Sequence, residues 1–259
     1  ITGPPGAGKS TLSGRLIEQF VAQGRSVAYL GVDPSSPVLG DRIRLGGELG
    51  DRVFIRSAAS RGAQGGLSVQ TEAIADVLDA AGFDILLIES VGVGQAELDI
   101  VQVVDSVVVV LVPESGDEVQ AMKAGLLEIG NVLCVNKADR ASAEALITAL
   151  THAVGMRSES PRRQPEVTRS IGIQAGGVDQ LLEAIQRHYD SIRDSGQWME
   201  FRDDRLRRRV KDIVKSKWEE RFWTDTRIDL LRSAIDSMDT LGRTPYELAS
   251  LIIEAGESR

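Results

Sequence analysis

The feature that most restricts the fold of this chain is the segment 3–11, which contains the pattern G-x-x-x-x-G-K-[ST] followed by Thr11. In this pattern, glycines let backbone N–H groups turn inward to cradle phosphate oxygens, and the loop leads from a strand into a helix. Lys9 is predicted to reach the β- and γ-phosphates, and the Ser10 hydroxyl is predicted to ligate Mg²⁺. The remaining loop positions expected at the phosphates are Pro5, Gly6, Ala7, Gly8 and Thr11. These residues predict a P-loop, and with it an α/β fold.

Strand and helix patterns alternate up to residue 194, which indicates a mainly parallel, doubly wound sheet. Apolar runs typical of strands buried on both faces occur at 26–32, 53–56, 85–88, 107–112 and 132–135. Helices are predicted at 10–23, 67–81, 141–154 and 178–189. Ile1 and Thr2 are too few to supply the strand that precedes a P-loop. We therefore expect a truncated first strand and residues missing upstream.

After residue 194 the strand patterns stop and only helical spacing continues, with a last helical run at 244–255. We therefore divide the chain into a P-loop GTPase domain, 1–194, and a C-terminal helical arm, 195–259. One stripe of the arm repeats large apolar side chains every fourth residue, at Leu206, Val210, Val214, Trp218 and Phe222. The stripe is expected to be buried, either on the chain's own α/β domain or on a second subunit. The length and aromatic content of the arm favour the second, and hence a homodimer.

A second nucleotide-binding motif, N-K-A-D, lies at 136–139 directly after a predicted strand. The Asp139 carboxylate can accept hydrogen bonds from the N1–H and the exocyclic amine of guanine, and adenine lacks that pair of donors. Lys137 would pack its stem over the base, and Asn136 would tie this loop to the P-loop. A backbone contact to guanine O6 is expected from a later turn, at Ser170 and Ile171. The two motifs together predict GTP and GDP as ligands.

Acidic residues end two of the predicted strands, Asp33 after 26–32 and Glu89 after 85–88. Ligands of α/β sheets lie beyond the carboxyl ends of the strands, and carboxylates there can hold Mg²⁺ directly or through water. Asp41, on the loop after Asp33, is a further candidate. The predicted catalytic residues are Lys9, Asp41 and Glu89, and the predicted metal shell is Ser10, Asp33, Asp41 and Glu89.

Composition argues against several other functions. The formal net charge of -8 disfavours a nucleic-acid partner or an acidic membrane surface. No apolar run reaches the length of a transmembrane helix. The single cysteine, Cys134, can form no disulfide within the chain and fits a reducing compartment. We therefore expect a cytoplasmic protein with no nucleic-acid or membrane partner.

Four strings of the sequence resemble those of the methylmalonyl-CoA mutase-associated GTPases, a cobalamin-handling group also described as arginine/ornithine (LAO/AO) transport system kinases. They are VDPSSP at 32–37, LGDRIR at 39–44, ESVGVGQ at 89–95 and GDEVQAMKAG at 116–125. The resemblance runs from the P-loop to about Arg259. It implies a Mg²⁺-dependent GTPase of the SIMIBI class, which includes signal-recognition and metal-insertion GTPases. It also implies a homodimer, held by the C-terminal helices, that gates adenosylcobalamin loading and protection of methylmalonyl-CoA mutase.

The resemblance assigns roles residue by residue. Phosphate and Mg²⁺ contacts fall on Lys9 and Ser10, the acidic Mg²⁺ shell on Asp33, Asp41 and Glu89, and the guanine reader on Asn136, Lys137 and Asp139. The segment 114–123 matches one that responds to the partner, and its predicted switch residues are Asp117, Glu118, Gln120 and Lys123.

The chain departs from the family pattern in two places. It lacks the N-terminal helical region and full first strand, and 37–39 is too short for the glycine-containing stretch before Asp41. Either the switch loop is shortened or residues are missing from the sequence, and we favour the second because such loops order only around a γ-phosphate.

Three alternatives remain. A nickel-insertion GTPase would carry a cysteine pair or a histidine tract, whereas this chain has Cys134, His152 and His188. A transport-system kinase would need a phosphoacceptor site or a catalytic-loop motif, which the sequence does not show. A GTP-bound switch with little hydrolysis of its own is close to the main interpretation, because slow turnover under partner control is common in GTPases. The sequence has no D-x-H-x-x-G string, so direct cobalt ligation is not expected.

Overall fold

The computed structural model describes residues 1–33, 50–59, 69–90, 103–113, 125–156, 164–236 and 244–255. The elements nearest the start are α1 (Lys9–Ala22), β1 (Val27–Asp33), β2 (Val53–Ala59), α2 (Val69–Ala80) and β3 (Ile85–Glu89). The next are β4 (Val108–Leu111), α3 (Leu126–Ile129), β5 (Val132–Val135), α4 (Ala143–Gly155), β6 (Glu166–Arg169) and α5 (Val178–Asp194). Within these ranges, no helix is both long and apolar enough to cross a membrane.

The strands form two parallel groups, in the orders β2-β1-β3 and β4-β5-β6. Ile1 and Thr2 lie between the groups, in the position of the strand that precedes the P-loop. Two residues can do this because alternate residues of a strand turn their backbone groups to opposite neighbours. The hydrogen bonds are Ile1 N to Ile88 O (2.6 Å), Ser90 N to Ile1 O (2.9 Å), Thr2 N to Val108 O (2.9 Å) and Val110 N to Thr2 O (2.8 Å). Ile1 and Thr2 occupy this position through an isolated bridge of Thr2 with Val109 and do not form a strand, which agrees with the prediction that two residues are too few for one.

The sheet is covered on both faces, which explains why its strands are apolar throughout. All four residues of β4 and all four of β5 are buried. Alternate strand residues belong to two separate apolar clusters. One contains Leu12 and Leu16 of α1 with Leu181 of α5, and the other contains Leu146 and Leu150 of α4. This arrangement confirms the predicted doubly wound α/β fold.

Several observed bounds differ from the predicted ones. Strand β2 runs to Ala59 rather than to residue 56, because it pairs with β1 over seven positions. Helix α5 continues to Asp194, beyond the predicted end at residue 189. Strand β5 has its predicted bounds. Strand length therefore followed the neighbouring strand more closely than the local apolar run.

The described chain divides into two compact units, Ile1–Met199 and Glu200–Arg259. The second unit is helical and contains most of α6 (Gln197–Phe222), α7 (Asp225–Asp236) and α8 (Pro245–Glu254). No residue of α6, which is described along its whole length, is buried. The stripe side chains Leu206, Val210, Val214 and Trp218 expose 64%, 52%, 50% and 68% of their surface. Four of the five predicted stripe residues are thus exposed, and the fifth, Phe222, is half-buried.

Candidate nucleotide-binding site

The loop between Thr2 and α1 depends on glycine at defined positions. Gly8 has a φ of 90°, which favours glycine, and a Cβ there would lie 2.4 Å from Asn136 Nδ2. A Cβ at Gly3 would lie 2.1 Å from the Val110 carbonyl oxygen. The loop is therefore packed too closely against β4 and the 136–139 motif to admit a side chain at these positions.

Lys9, the first residue of α1, lies within this loop. Its ammonium group donates hydrogen bonds to the Gly3 and Pro4 carbonyl oxygens at 2.8 and 3.1 Å, and the residue is buried. The loop thus places a positive charge at the N-terminal end of a helix, where backbone N–H groups add to the positive potential. A polyphosphate is the ligand class that such a site suits.

Ser10 and Glu89, which are 79 positions apart in the sequence, lie in direct contact. The Ser10 hydroxyl donates to Glu89 Oε1 at 2.5 Å. Two further hydroxyls donate to Glu89 Oε2, from Ser13 at 2.7 Å and from Tyr29 at 3.0 Å. The sequence analysis placed Ser10 and Glu89 in one site, but it missed Ser13 and Tyr29.

Both residues can be identified only when the register of the strands and the orientation of α1 are known. Ser13 lies one helical turn after Ser10, so their side chains share a face of α1. Tyr29 pairs with Leu87 in the β1–β3 ladder, two residues before Glu89, and alternate residues of adjacent strands share a face of the sheet.

The other acidic candidates are only partly described. Asp33 is the last residue of β1 and pairs with Ala59, so its backbone lies at the same edge of the sheet as Glu89. The side chain of Asp33 lies outside the described residues, and so does Asp41. The predicted partner-switch residues Asp117, Glu118, Gln120 and Lys123 also lie outside them.

Asn136 joins three loops. Its Nδ2 donates to the Ala7 carbonyl oxygen at 2.8 Å, which is the predicted tie to the P-loop. Its Oδ1 accepts from the Ser170 hydroxyl and from the Gly172 N–H, both at 3.1 Å. The residue is 3% exposed, so each of these bonds is shielded from water. In the same motif, Lys137 adopts a φ of 55°, and Asp139 is exposed.

The turn at 170–172 is firmly bonded to the protein. Ser170 N donates to Val135 O at 2.8 Å, and Ile171 N donates to Gly176 O at 2.7 Å. With Gly172 N bonded to Asn136, all three backbone donors have protein acceptors. A contact from this turn to guanine O6 stays a prediction, and at Ser170 or Ile171 it would have to replace one of these bonds.

Cys134 lies behind the guanine-reading loop, in β5. Its thiol is buried at 3.2 Å from the Ser170 hydroxyl, and burial raises the pKa of the thiol above its ordinary value. The thiol therefore stays protonated at neutral pH and acts as a small packing side chain.

The parallel sheet, the glycine loop that leads into α1 and the Lys9, Ser10 and Glu89 constellation define a P-loop NTPase fold. The family described as methylmalonyl-CoA mutase-associated GTPase MeaB matches residues 1–227. The chain belongs to this family, and it is a GTPase.

Named relatives agree with this assignment. A protein of Pyrococcus horikoshii that is named as a GTPase is 40% identical over 263 residues, covering 98% of this chain and 82% of the relative. The mitochondrial methylmalonic aciduria type A homolog of Caenorhabditis elegans is 31% identical over 235 residues, covering 85% of this chain and 59% of the relative. A crystal structure described as a LAO/AO transport system kinase superposes with a TM-score of 0.74 at 23% identity, covering 100% of this chain and 80% of that one. The last comparison shows the fold alone.

Proposed function

We propose that this protein is a cytoplasmic GTP-driven chaperone that gates adenosylcobalamin loading and protection of methylmalonyl-CoA mutase. The observation that carries the proposal is the family match, which spans both nucleotide motifs and continues into α6. The relative from Caenorhabditis elegans, named for methylmalonic aciduria, supports the same metabolic setting.

We propose the following roles for the residues that bind the nucleotide. The P-loop backbone and Lys9 hold the β- and γ-phosphates, while Asn136, Lys137 and Asp139 hold the guanine. Catalysis of phosphoryl transfer consists mainly of positioning and charge stabilisation, and the buried ammonium group of Lys9 supplies both at the γ-phosphate. Water is the acceptor, so the products are GDP and phosphate.

A Mg²⁺ ion fits the donor set at the edge of the sheet. The Ser10 hydroxyl and the Glu89 carboxylate are hard oxygen donors that already lie in contact, and Mg²⁺ prefers such ligands together with water and phosphate. Asp33 and Asp41 are proposed to complete this shell. When bound, the ion neutralises negative charge on the β- and γ-phosphates.

The proposal predicts that purified methylmalonyl-CoA mutase raises the GTP turnover of this protein by at least about 10-fold, because partners of slow GTPases commonly complete the active site. Phosphate release would be measured with and without the mutase, and complex formation by size exclusion with GDP and with a non-hydrolysable GTP analogue. A cobalamin enzyme of another reaction class is the control. If the mutase neither binds nor changes turnover with either nucleotide, the assignment of this partner is wrong.

We further propose that the protein is a homodimer held by the stripe of α6. Four large side chains that expose half or more of their surface form an apolar patch that water disfavours, and a two-fold contact would bury it twice. A chain ending at Asp194 is expected to bind GDP but to behave as a monomer in light scattering. The double variant Val210→Asp/Val214→Asp is expected to behave in the same way.

Controls for this prediction lie on the same helix. Arg208 and Ser216 are exposed and lie away from Val210 and Val214 by helical spacing, so Arg208→Asp/Ser216→Asp should leave the dimer intact. If the chain ending at Asp194 stays dimeric, the contact lies in the α/β unit and the arm has another role.

A further inference from the structure

We infer that Ser13 and Tyr29 are positioning residues for GTP hydrolysis, which act by fixing the orientation of the Glu89 carboxylate. The inference rests on the proposed role of Glu89 in the Mg²⁺ shell. The two residues belong to neither nucleotide motif, since Ser13 lies in the second turn of α1 and Tyr29 in the middle of β1.

The geometry divides the carboxylate into two ends. Oε1 accepts from Ser10, the predicted Mg²⁺ ligand, at 2.5 Å. Oε2 accepts from Ser13 at 2.7 Å and from Tyr29 at 3.0 Å. One oxygen is therefore held by two hydroxyls, and this leaves the other directed at the P-loop hydroxyl.

Burial makes this arrangement rigid. Ser13, Tyr29 and Glu89 are 0%, 1% and 8% exposed, so water competes little for the three bonds. Hydrogen bonds to a charged group are stronger than those between neutral groups. Rotation of the carboxylate would leave two buried hydroxyls without this acceptor, which disfavours other orientations.

The chemistry of the donors matters as well. A hydroxyl stabilises a carboxylate without cancelling its charge, whereas an arginine or lysine in the same place would form an ion pair and weaken its attraction for a cation. Ser13 and Tyr29 therefore orient the Glu89 carboxylate without placing a competing positive charge on it.

The test removes one hydroxyl at a time. Tyr29→Phe and Ser13→Ala are each expected to lower kcat by about 10-fold, because the productive orientation of Glu89 becomes less populated. The Mg²⁺ concentration that gives half-maximal turnover should rise in both variants. Affinity for a fluorescent GDP analogue should stay within about 2-fold, because the base and P-loop contacts do not involve these residues. Tyr189→Phe and Ser195→Ala are the matched controls and should turn over as the wild type does. Tyr189 lies in α5, and Ser195, which follows that helix, donates its hydroxyl to the Ile192 carbonyl oxygen.

A double-mutant cycle distinguishes the positioning role of the two hydroxyls from a merely structural one. Glu89→Ala should itself lower kcat more than it lowers GDP affinity, and in that background Tyr29→Phe and Ser13→Ala should cause no further loss. If Glu89→Ala hydrolyses GTP at the wild-type rate, the role proposed for Glu89 is wrong. If Glu89→Ala is slow but the hydroxyl variants turn over normally, or lose the same factor in both backgrounds, the positioning inference is overturned and the role of Glu89 stands. Because the two hydroxyls come from different elements, a folding defect in one variant leaves the other to decide.

Discussion

Replacing Lys9 by alanine is expected to lower the GTP turnover of this protein by at least about 10³-fold, since preorganised charge at the transferring phosphate is a large part of such catalysis. The Lys9 ammonium group is buried and is held by the carbonyl oxygens of Gly3 and Pro4. Alanine would keep the helix but would leave the phosphate charge without this cation. Nucleotide affinity should also fall, by roughly 10-fold to 100-fold. Single-turnover phosphate release and calorimetry with GDP measure the two effects separately.

Two variants control for this effect. Lys215→Ala removes an exposed lysine of α6 whose ion pair with Glu219, at 3.9 Å, contributes little to stability, and it should behave as the wild type. Lys9→Arg keeps the charge but replaces a compact ammonium group by a planar fork, so it is expected to restore binding better than turnover. Turnover of Lys9→Ala within about 10-fold of the wild type would contradict the assigned role of the charge.

Asn136→Ala is expected to weaken GDP and GTP binding by about 100-fold, because it removes three buried hydrogen bonds worth about 1 kcal/mol each. Those bonds join the Ala7 carbonyl, the Ser170 hydroxyl and the Gly172 N–H. Without them the two halves of the nucleotide site lose their common anchor. Ser170→Ala removes one of the three and should cost about 5-fold in affinity.

The same titrations distinguish an anchor from a base reader. Asn136→Ala should weaken the binding of guanine and adenine nucleotides by the same factor. Asp139→Asn should instead reduce the preference for guanine, because an amide cannot accept both hydrogen bonds. Calorimetry with GDP, ADP, GTP and ATP gives the four affinities. Equal affinity of the wild type for GTP and ATP would rule out guanine reading by this motif.

Most residues of the candidate site can be selected from the sequence because they lie in local motifs. Lys9 and Ser10 follow their glycines directly, and Asn136 follows a buried strand, so chain connectivity alone places them. The contact of Ser10 with Glu89 was also predictable, since parallel strands bring their carboxyl ends to one edge.

The features that escaped prediction depend on pairing between distant segments. Tyr29 reaches Glu89 only through the register of β1 against β3, and Ser13 only through the face that α1 turns to the sheet. Strand β2 extends past its apolar run because β1 offers seven partners. Ile1 and Thr2 bond to neighbours on both sides, through an isolated bridge and not a strand, because those neighbours are already in place.

The close approach of Gly8 to Asn136 has an evolutionary consequence. A side chain at position 8 would occupy the space of the Asn136 amide, at 2.4 Å from Nδ2. A lineage that gained a Cβ there would have to give up the amide, and with it the bonds to Ala7, Ser170 and Gly172. Single substitutions at either position therefore pass through a form with a damaged site. Because the φ of 90° at Gly8 would strain any side chain there even if the amide were lost, the two residues should stay fixed together among functional descendants of this chain.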